Sequence, residues 1–276
     1  MDGFLLDGQL RRFLAEDIGQ GDITTDAVFT ANSEVTAVFA AREPLVAAGM
    51  AEVAGRVFQV LNPEVVVEYA MADGEEAAAG AILLRLRGPV RDILRGERVA
   101  LNLVQRLCGI ATLTRKYVAL VAGLQVQITD TRKTSPGLRM LEKYAVRVGG
   151  GRNHRFNLSD GVLIKDNHIA ACGSIRLAVE KARATVPHTI RIEVETENLA
   201  QVQECLDCGA DIIMLDNMGL AEMRQAVQLI GGRALVEASG GVTLATVRQI
   251  AETGVDIISV GRLTHSAPAS DISMDF

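Results

Sequence analysis

A chain of 276 residues, of which 49% are hydrophobic, is long enough to bury a large core in one or two domains. Its formal net charge is −6 and only 4% of its residues are aromatic, which argues against a nucleic-acid-binding surface. The sequence has neither an uncharged apolar run of membrane-spanning length nor a signal-peptide pattern. We therefore expect a cytoplasmic protein without a membrane or nucleic-acid partner.

The first part of the chain mixes helices and strands. Apolar spacing predicts helices over residues 9–16 and 50–61 and strands over residues 35–41, 65–70 and 82–87. Residues 16–26, rich in Gly, Asp and Thr, are predicted to form a loop. A helical pattern then covers residues 90–120, with a possible break at Gly109. These elements indicate a compact α+β domain that passes to the next by a long helix.

After residue 123 the pattern becomes an alternation of short apolar strands and amphipathic helices. The strands are predicted over residues 126–129, 162–164, 190–194, 212–215, 234–236 and 257–260. Continuous apolar strands of this kind are typical of parallel sheets. Because no Rossmann glycine pattern follows the first strand, an α/β barrel is favoured, and an open doubly wound sheet is the alternative.

The four cysteines are too few for a disulfide scaffold in a chain of this length. Cys205 and Cys208 form a CxxC pair, but no second pair of metal ligands follows. Cys205 also lies among the apolar residues of a predicted helix. We interpret both as structural thiols, and a zinc or redox role is the alternative.

Polar residues follow each predicted strand of the second half. They are Asp130, Arg132 and Lys133; Lys165, Asp166 and His168; Glu195; Asp216 and Asn217; Glu237, Ser239, Gly240 and Gly241; and Gly261 and Arg262. In a barrel these positions share the C-terminal face, where active sites lie. The segment Ser239-Gly240-Gly241 is expected to lead directly into a helix over residues 243–252, whose N-terminus would bind phosphate.

Residues 130–168 form a basic stretch in an acidic chain. Eight Lys and Arg residues face four acidic residues there, so the stretch carries +4 and the remainder about −10. We expect an anion site, and a solvated basic loop is the alternative. Glu195 and Asp216 would bind sugar hydroxyls or a metal ion, and a strand-end salt bridge is the alternative for each. Glu193 lies two residues from Glu195 on the same face of the strand and is a candidate structural partner for it. A phosphorylated sugar and a second, carboxylate-bearing substrate fit this set of residues.

Seven segments in the second half are long enough to be specific: TRKTSPGLR, KYAVRVGGGRNHR, VLIKDNHI, EVETEN, MLDN, EASGGV and SVGRLTHS. Together with EDIGQGDITTD and GERVALNLVQRLCGIATLT, they resemble the quinolinate phosphoribosyltransferase family, also called carboxylating nicotinate-nucleotide pyrophosphorylases. The resemblance implies an N-terminal α/β sandwich domain (residues 1–112), an incomplete α/β barrel (113–264) and a C-terminal tail that returns toward the first domain (265–276). It also implies the reaction of quinolinate with phosphoribosyl pyrophosphate and Mg²⁺, which gives nicotinate mononucleotide, pyrophosphate and CO₂ in NAD biosynthesis.

The resemblance assigns roles to individual positions. The positions that match the family's quinolinate-binding residues are Arg132, His154, Arg155 and Lys165. Arg98 matches an arginine that the neighbouring subunit contributes, which implies a homodimer or a larger oligomer. Those that match the phosphoribosyl pyrophosphate site are Lys133, Glu195, Asp216, Ser239, Gly240 and Gly261. Lys133, Lys165, Glu195 and Asp216 would be catalytic, and Glu195 and Asp216 would hold the metal, directly or through water. Ala238 and Asn157 depart from the family's usual residues at positions that carry no chemistry.

Two rival functions stay open from the sequence. Lys165 at a strand end could be the Schiff-base lysine of an aldolase or decarboxylase. The chain could also be a paralogue, such as the molybdenum-transport-associated one, that kept the fold for binding or another transfer. Arg139, Lys143 and Arg147 have no assigned ligand, and we expect Lys143 and Arg147 on a helix that serves structure or a subunit contact.

Overall fold

The computed structural model describes residues 1–29 and 33–276, and these residues form two compact units. The first unit contains Met1–Arg115, Met140–Gly150 and Ser266–Phe276. The second unit contains Lys116–Arg139 and Gly151–His265. The domain boundaries given above, after residues 112 and 264, remain a prediction.

The helices in chain order are α1 (Gly3–Ile18), α2 (Ile23–Val28), α3 (Arg56–Leu61, preceded by a π-helical turn over Met50–Gly55), α4 (Val90–Leu120), α5 (Arg139–Val148), α6 (Asp166–Cys172), α7 (Ile175–Thr185), α8 (Leu199–Asp207), α9 (Leu220–Ile230), α10 (Val247–Ala251) and α11 (Arg262–His265). The strands are β1 (Glu34–Ala41), β2 (Leu45–Val46), β3 (Val66–Ala70), β4 (Glu76–Ala77), β5 (Ile82–Pro89), β6 (Gln127–Thr129), β7 (Val162–Ile164), β8 (Ile192–Thr196), β9 (Ile212–Asp216), β10 (Leu235–Ser239), β11 (Ile257–Ser259) and β12 (Ile272–Asp275). Within the described residues, none of these helices combines the length and the apolar character that a membrane crossing requires.

Two helices near the N-terminus begin at aspartates that cap them. Asp2 accepts a hydrogen bond from the backbone N–H of Leu5 at 3.0 Å, and α1 begins directly after it. The predicted helix began several residues later because the prediction followed the apolar spacing alone. Asp22 accepts a hydrogen bond from the N–H of Thr25 at 3.0 Å and starts α2. The predicted loop over residues 16–26 was therefore wrong in its second half.

The first unit is built on a four-stranded antiparallel sheet in the order β12-β1-β5-β3. The strands predicted over residues 35–41, 65–70 and 82–87 are confirmed, with ends that differ by one or two residues. Phe39 of β1 and Phe58 of α3 are fully buried and pack edge to face, with ring centroids 6.1 Å apart. The core of this unit therefore lies between the sheet and the helices that follow β2.

The helix predicted over residues 90–120 is confirmed as α4, but it does not break at Gly109. A Cβ atom at Gly109 would lie 1.9 Å from the carbonyl oxygen of Pro268. The glycine therefore lets the C-terminal segment of the same unit pack directly on the helix backbone. Gln105 holds this segment as well, because its Nε2 donates to the carbonyl of Ile272 at 2.9 Å.

The second unit contains a parallel sheet of six strands in the order β6-β11-β10-β9-β8-β7. Five strands are neighbours in chain order, and the first strand pairs with the last, as happens when a sheet curls into a barrel. In the described residues the ring stays open between β6 and β7, where Thr129 makes only an isolated bridge to Arg152. The predicted fold class, an N-terminal α/β domain followed by an incomplete barrel, is confirmed.

All six predicted barrel strands are present, but β8 and β10 extend further than expected. Glu195 and Ser239 remain in strand conformation although the apolar run has ended. Both residues follow the alternation of the strand and point to the same side as the residue two positions earlier. The barrel interior therefore carries polar side chains below its rim as well as at it.

Two further predictions for this unit concern its helices, namely the role of the cysteines in α8 and the start of α10. Cys205 is fully buried in α8 and Cys208 caps the same helix, and the burial of Cys205 favours the structural interpretation. Burial raises the pKa of the Cys205 thiol, so it stays protonated and unreactive. The helix predicted over residues 243–252 is shorter, because α10 begins only at Val247.

Candidate active site

A cavity of about 470 Å³ lies at the carboxyl ends of the parallel strands. Every residue that lines it belongs to the second unit. Most of the predicted site residues line this cavity: Arg132, Lys133, His154, Arg155, Lys165, Glu195, Asp216, Ser239 and Gly240. The lining also contains Asn217, Glu237 and Gly241, which were expected at strand ends without an individual role, and Thr131, Leu163, Met214 and Ser259, which were not predicted. Gly261 is not in the lining but contacts one of its members, as described below.

One wall of the cavity is basic. Arg132, Lys133 and Arg155 have no carboxylate within ion-pair distance among the residues that the structure describes. Burial, and then the positive charge of Arg132, lower the pKa of the Arg155 guanidinium. Two neighbouring cations without a carboxylate repel each other, so the wall is suited to an anion that neutralises both. The alternative of a solvated basic loop does not explain why these groups converge on a cavity.

Two residues of the basic stretch hold the loops that carry these cations. Asp130 is fully buried and accepts hydrogen bonds from Asn153 Nδ2 at 2.6 Å and from the backbone N–H of His154 at 2.9 Å. It therefore ties the segment after β6 to the segment that carries Arg155. Arg139 donates from Nε to Thr134 Oγ1 at 2.9 Å, which fixes the loop between β6 and α5. Neither role was foreseen from the sequence.

The opposite wall is acidic and is formed by neighbouring strand ends. Lys165 Nζ, after β7, lies 2.5 Å from Glu195 Oε2 at the end of β8. Asp216 ends β9, and its Oδ2 accepts a hydrogen bond from Asn217 Nδ2 at 2.8 Å. A lysine in an ion pair and almost half exposed lacks the apolar, desolvated setting that a Schiff-base lysine needs. The geometry therefore disfavours the aldolase or decarboxylase alternative.

A glycine turn closes one end of the cavity. Gly240 has φ +89°, and a Cβ atom there would lie 2.2 Å from Asn217 Oδ1, so the turn is packed tightly against the end of β9. Because α10 starts only at Val247, the expectation that a helix N-terminus follows this turn directly was wrong. Phosphate recognition here would depend on the backbone N–H groups of the turn itself.

Gly261 positions Lys133 from the neighbouring strand, because it follows β11, which pairs with β6. A Cβ atom at Gly261 would lie 3.0 Å from Lys133 Cδ, so this glycine gives the lysine stem its space. Thr264 Oγ1 donates to the backbone carbonyl of Lys133 at 2.7 Å. The last strand of the sheet thus supports a cation that follows the first.

His154 is oriented by partners on both sides of its ring. The backbone N–H of Arg155 donates to Nδ1 at 2.7 Å, so the ring proton lies on Nε2. Nε2 is 3.2 Å from Glu193 Oε2 and 3.6 Å from Glu237 Oε1. In this arrangement both ring nitrogens face protein groups, whereas the family resemblance implied that His154 binds a substrate carboxylate. Glu193 lies beside His154, so its predicted pairing with Glu195 was wrong.

His154, Glu193 and Glu237 have potential ligand atoms within 4.8 Å of one another, a spacing that a metal ion could bridge. However, a nitrogen that carries the ring proton donates a hydrogen bond and offers no lone pair to a metal. Glu237 was expected on the active-site face as a strand-end residue but had no assigned role, and Glu193 was expected only as a structural partner of Glu195. Their positions, two residues before Glu195 and two residues before Ser239, were the available signal, because alternation along a strand places them one layer below the rim.

The remaining site predictions concern Arg98, the metal ligands, Lys143 and Arg147. Arg98 is an exposed residue of α4 in the first unit, whereas the cavity lining comes from the second. Glu195 and Asp216, predicted to hold Mg²⁺, both line the cavity. Lys143 and Arg147 lie on α5, as predicted, and Lys143 is buried there.

Two family models match the chain in succession. The model described as quinolinate phosphoribosyl transferase, N-terminal domain, matches residues 22–108. The model described as quinolinate phosphoribosyl transferase, C-terminal domain, matches residues 110–275. Between them the two models span nearly the whole sequence.

Individual relatives are similar over their full length. The probable nicotinate-nucleotide pyrophosphorylase [carboxylating] of Bacillus subtilis (strain 168) is 47% identical over 266 residues, which cover 96% of this chain and 91% of the relative. The nicotinate-nucleotide pyrophosphorylase [carboxylating] of Mycobacterium leprae is 44% identical over 273 residues, covering 96% and 95%. The crystal structure of NadC from Streptococcus pyogenes superposes with a TM-score of 0.96 at 43% identity, covering 100% of this chain and 97% of that one.

Proposed function

Because this chain belongs to the quinolinate phosphoribosyl transferase family, we propose that it catalyses the reaction for which its relatives are named. Quinolinate and phosphoribosyl pyrophosphate react to give nicotinate mononucleotide, pyrophosphate and CO₂, a step in NAD biosynthesis. The observation that carries the proposal is the cavity itself. It joins cations without carboxylate partners to a glycine turn and two strand-end carboxylates.

The basic wall would bind the dicarboxylate. Arg132 and Arg155 can each pair with a planar carboxylate through two parallel N–H groups, and binding relieves the repulsion between them. Lys165 would contribute a third cation from the other side of the cavity while it stays paired with Glu195. His154 would act through Arg155, because its Nδ1 holds the backbone N–H of that residue.

The glycine turn and Lys133 would bind the phosphorylated substrate. Ser239, Gly240 and Gly241 offer backbone N–H groups to the sugar phosphate, and Gly261 keeps room for Lys133. Lys133 is exposed and has no carboxylate partner in the described residues, so it can follow the negative charge that develops on the leaving pyrophosphate.

No covalent nucleophile is required in this arrangement. The ring nitrogen of quinolinate attacks the anomeric carbon as pyrophosphate leaves, and positive charge develops on the ribose ring. Glu195 and Asp216, which end neighbouring strands, would offset that charge or bind the ribose hydroxyls. The protein contributes mainly by positioning two anionic substrates against each other in one cavity.

The proposal includes Mg²⁺ as the cofactor. The donor set fits this ion, since Glu195 and Asp216 present carboxylate oxygens to the cavity. These two residues would hold the ion directly or through water. When bound, Mg²⁺ would neutralise part of the pyrophosphate charge.

The direct test is product analysis after the protein is mixed with quinolinate, phosphoribosyl pyrophosphate and Mg²⁺. We expect nicotinate mononucleotide, pyrophosphate and CO₂ in equal amounts. Nicotinate lacks one carboxylate and leaves half-buried cations of the cavity unpaired, so it should react about 10⁴-fold less efficiently. Comparable turnover of the two acids, or no nucleotide product from quinolinate, would contradict the proposal.

A second part of the proposal concerns assembly. We propose a homodimer, or a larger oligomer of dimers, in which Arg98 completes the cavity of the partner subunit. The support is that Arg98 is exposed and has no carboxylate partner in the described residues. A cytoplasmic location also remains a prediction from the sequence.

Mixing two inactive variants tests the shared site. Arg98→Ala and Lys133→Ala should each be inactive alone, because each lacks a cation of the site. In a mixed dimer one cavity would combine the intact Lys133 of one subunit with the intact Arg98 of its partner, so equal mixing should restore roughly a quarter of wild-type activity. Failure to recover activity, in a mixture shown to contain mixed dimers, would place Arg98 outside the site.

A further inference from the structure

Below the active-site cavity, two glutamates bury oxygens that receive no hydrogen bond. Glu193 and Glu237 are almost fully buried, and each has an Oε1 atom without a donor among the described residues. Two ionised carboxylates at this depth would repel each other and leave both oxygens unsatisfied. A proton on Glu237 removes one of the two charges. Glu237 is therefore best described as a carboxyl group that can hold a proton.

The electrostatics of the pair agree with this geometry. Burial, followed by the charge of Glu193, raises the pKa of the Glu237 carboxyl to about 7. Other polar groups that face it are the Nε2–H of His154 and the hydroxyl of Ser259 on β11. Glu237 therefore holds its proton to a much higher pH than an exposed glutamate does.

The pair lies between two cavities. Glu237 and His154 line the active-site cavity and also line a second cavity of about 520 Å³. The second cavity contains Gln127, Val162 and Ile257, which begin their strands, so it lies toward the opposite end of the parallel sheet. Glu193 lines only this second cavity. A proton can therefore enter from one cavity and leave into the other through these side chains.

The proposed reaction needs such a proton. When the carboxylate on ring carbon 2 leaves as CO₂, the electron pair of the broken C–C bond stays on that carbon, beside the quaternary ring nitrogen. A proton must replace the lost carboxylate, or the carbanion recaptures CO₂. The nearby cations do not supply it well: Lys165 is in an ion pair with Glu195, and the His154 Nε2–H is directed at the glutamates.

We propose that Glu237 is the catalytic acid that protonates ring carbon 2 after CO₂ departs, and that it is reprotonated from the second cavity, which it also lines. This inference rests on the proposed function. In the step, the O–H bond of Glu237 breaks and its electron pair stays on the carboxylate, while the ring carbanion uses its own pair to form the C–H bond. Water from the second cavity then returns one proton to the pair, so one solvent proton is consumed for each CO₂ released.

Glu237→Gln tests the step, because glutamine keeps the shape of the side chain but cannot deliver an acidic proton. The first turnover is quenched at short times with quinolinate labelled in its 2-carboxylate. Wild-type protein should release pyrophosphate and CO₂ together. In Glu237→Gln we expect pyrophosphate release to continue while CO₂ release lags about tenfold or more, with transient accumulation of the dicarboxylate nucleotide.

Two further variants complete the design. Glu237→Asp keeps an acid and should show a smaller lag, and it serves as the main variant if Glu237→Gln does not fold. Glu197→Gln makes the same change on an exposed glutamate just beyond β8 and should match wild type. The hydrogen-to-deuterium ratio at ring carbon 2, measured in mixed light and heavy water, should also differ between wild type and Glu237→Gln, because the donor differs.

The outcomes separate this proposal from the proposed function. If pyrophosphate and CO₂ decline equally in Glu237→Gln, or if the isotope ratio does not change, Glu237 is not the acid and the transferase function stands. If wild-type protein releases no pyrophosphate from these substrates, the transferase function itself is wrong.

Discussion

Arg132 and Arg155 converge on the same cavity, and neither meets a carboxylate within ion-pair distance in the described part of the chain. In the free protein this arrangement is unfavourable, since like charges repel. The loops tolerate it because buried Asp130 and Arg139 hold them by hydrogen bonds to their backbone and side chains. The proposed substrate site would thus be prepared in advance by guanidinium groups that the fold keeps without carboxylate partners.

Replacing Arg132 by alanine should reduce kcat/KM for quinolinate roughly tenfold or more. One substrate carboxylate would then lie in the cavity without its cation, at a cost of about 2–5 kcal/mol by analogy with buried charge pairs. Steady-state kinetics at saturating phosphoribosyl pyrophosphate measure the effect. Arg224→Ala removes an exposed arginine of α9 in the same unit and should leave the kinetics unchanged. Wild-type values for Arg132→Ala would exclude Arg132 from the site.

The two adjacent glycines of the turn after β10 should respond differently to alanine. Gly241→Ala meets no atom within 4 Å and bears only the strain of φ +60°, about 1 kcal/mol. Gly240→Ala bears similar strain and in addition drives a Cβ atom to 2.2 Å from Asn217 Oδ1. We expect the larger loss of stability in urea denaturation, and a raised KM for phosphoribosyl pyrophosphate, in Gly240→Ala. Equal effects of both substitutions would show that contact with Asn217 is unimportant.

At the level of single residues, the sequence predicted the strand-end residues of the site better than the buried glutamates below them. Residues such as Lys165 and Glu195 directly follow apolar strands, so their place at one face follows from strand alternation. Glu193 and Glu237 were missed as a pair because their meeting depends on the register between β8, β9 and β10, which a single sequence does not reveal. The partners of His154 are likewise set by tertiary contacts.

Helix boundaries show which structural features local apolar patterns predict and which they miss. α4 was predicted to its terminal residues because its apolar spacing is regular over the whole length. α1 and α2 begin at capping aspartates that the apolar pattern does not include. α10 starts late because the residues after the glycine turn form an irregular turn, although their composition suits a helix. Turn geometry was therefore the weakest part of the prediction.

Glycines inside two helices make a matched pair for stability measurements. Gly109→Ala should destabilise the protein by about 1–3 kcal/mol or more, since the new Cβ atom would meet the backbone oxygen of Pro268 at 1.9 Å. Gly8→Ala in α1 meets nothing within 4 Å and should stabilise it by about 0.5–1 kcal/mol, because alanine loses less backbone freedom on folding. Chemical denaturation of the two variants compares them. A stabilising Gly109→Ala would mean that the C-terminal segment does not depend on this contact.

The free energy of unfolding of the whole molecule should depend on pH because the carboxyl of Glu237 is buried. Unfolded, this carboxyl releases its proton near pH 4.5, whereas folded it does so near 7. Between these values the folded state binds more protons than the unfolded state, so the free energy of unfolding decreases as pH rises through the window. Glu237→Gln lacks this contribution. Its stability relative to wild type should therefore increase from about pH 4.5 to about pH 7 and then become constant.

Urea denaturation of both proteins at several pH values across this window tests the expectation. Glu197→Gln is the control, because its side chain is exposed and should give a difference that does not depend on pH. A pH-independent difference between Glu237→Gln and wild type would indicate that the buried pair does not hold its proton in the folded protein.

At the scale of the molecule, the order of strands decided the prediction of the fold. Alternating apolar strands and helices in the second half predicted a parallel sheet, and the sequential strand order with β6 against β11 agrees with a barrel. The gap between β6 and β7 followed only from the family resemblance, because no local pattern indicates which strands fail to pair. The homodimer and the Arg98 contribution remain predictions of the same origin.

The edge strand β12 has a consequence for how the chain matures during synthesis. Its residue Asp275 contacts Arg42 beside β1, 233 positions earlier in the chain. The sheet of the first unit therefore waits for residues that leave the ribosome after the entire barrel has emerged. Until then β1 exposes an unpaired edge and Gly109 an uncovered stretch of helix backbone, both of which favour aggregation. Emergence of β12, rather than completion of the N-terminal segment, is the moment at which the sheet of this unit can close.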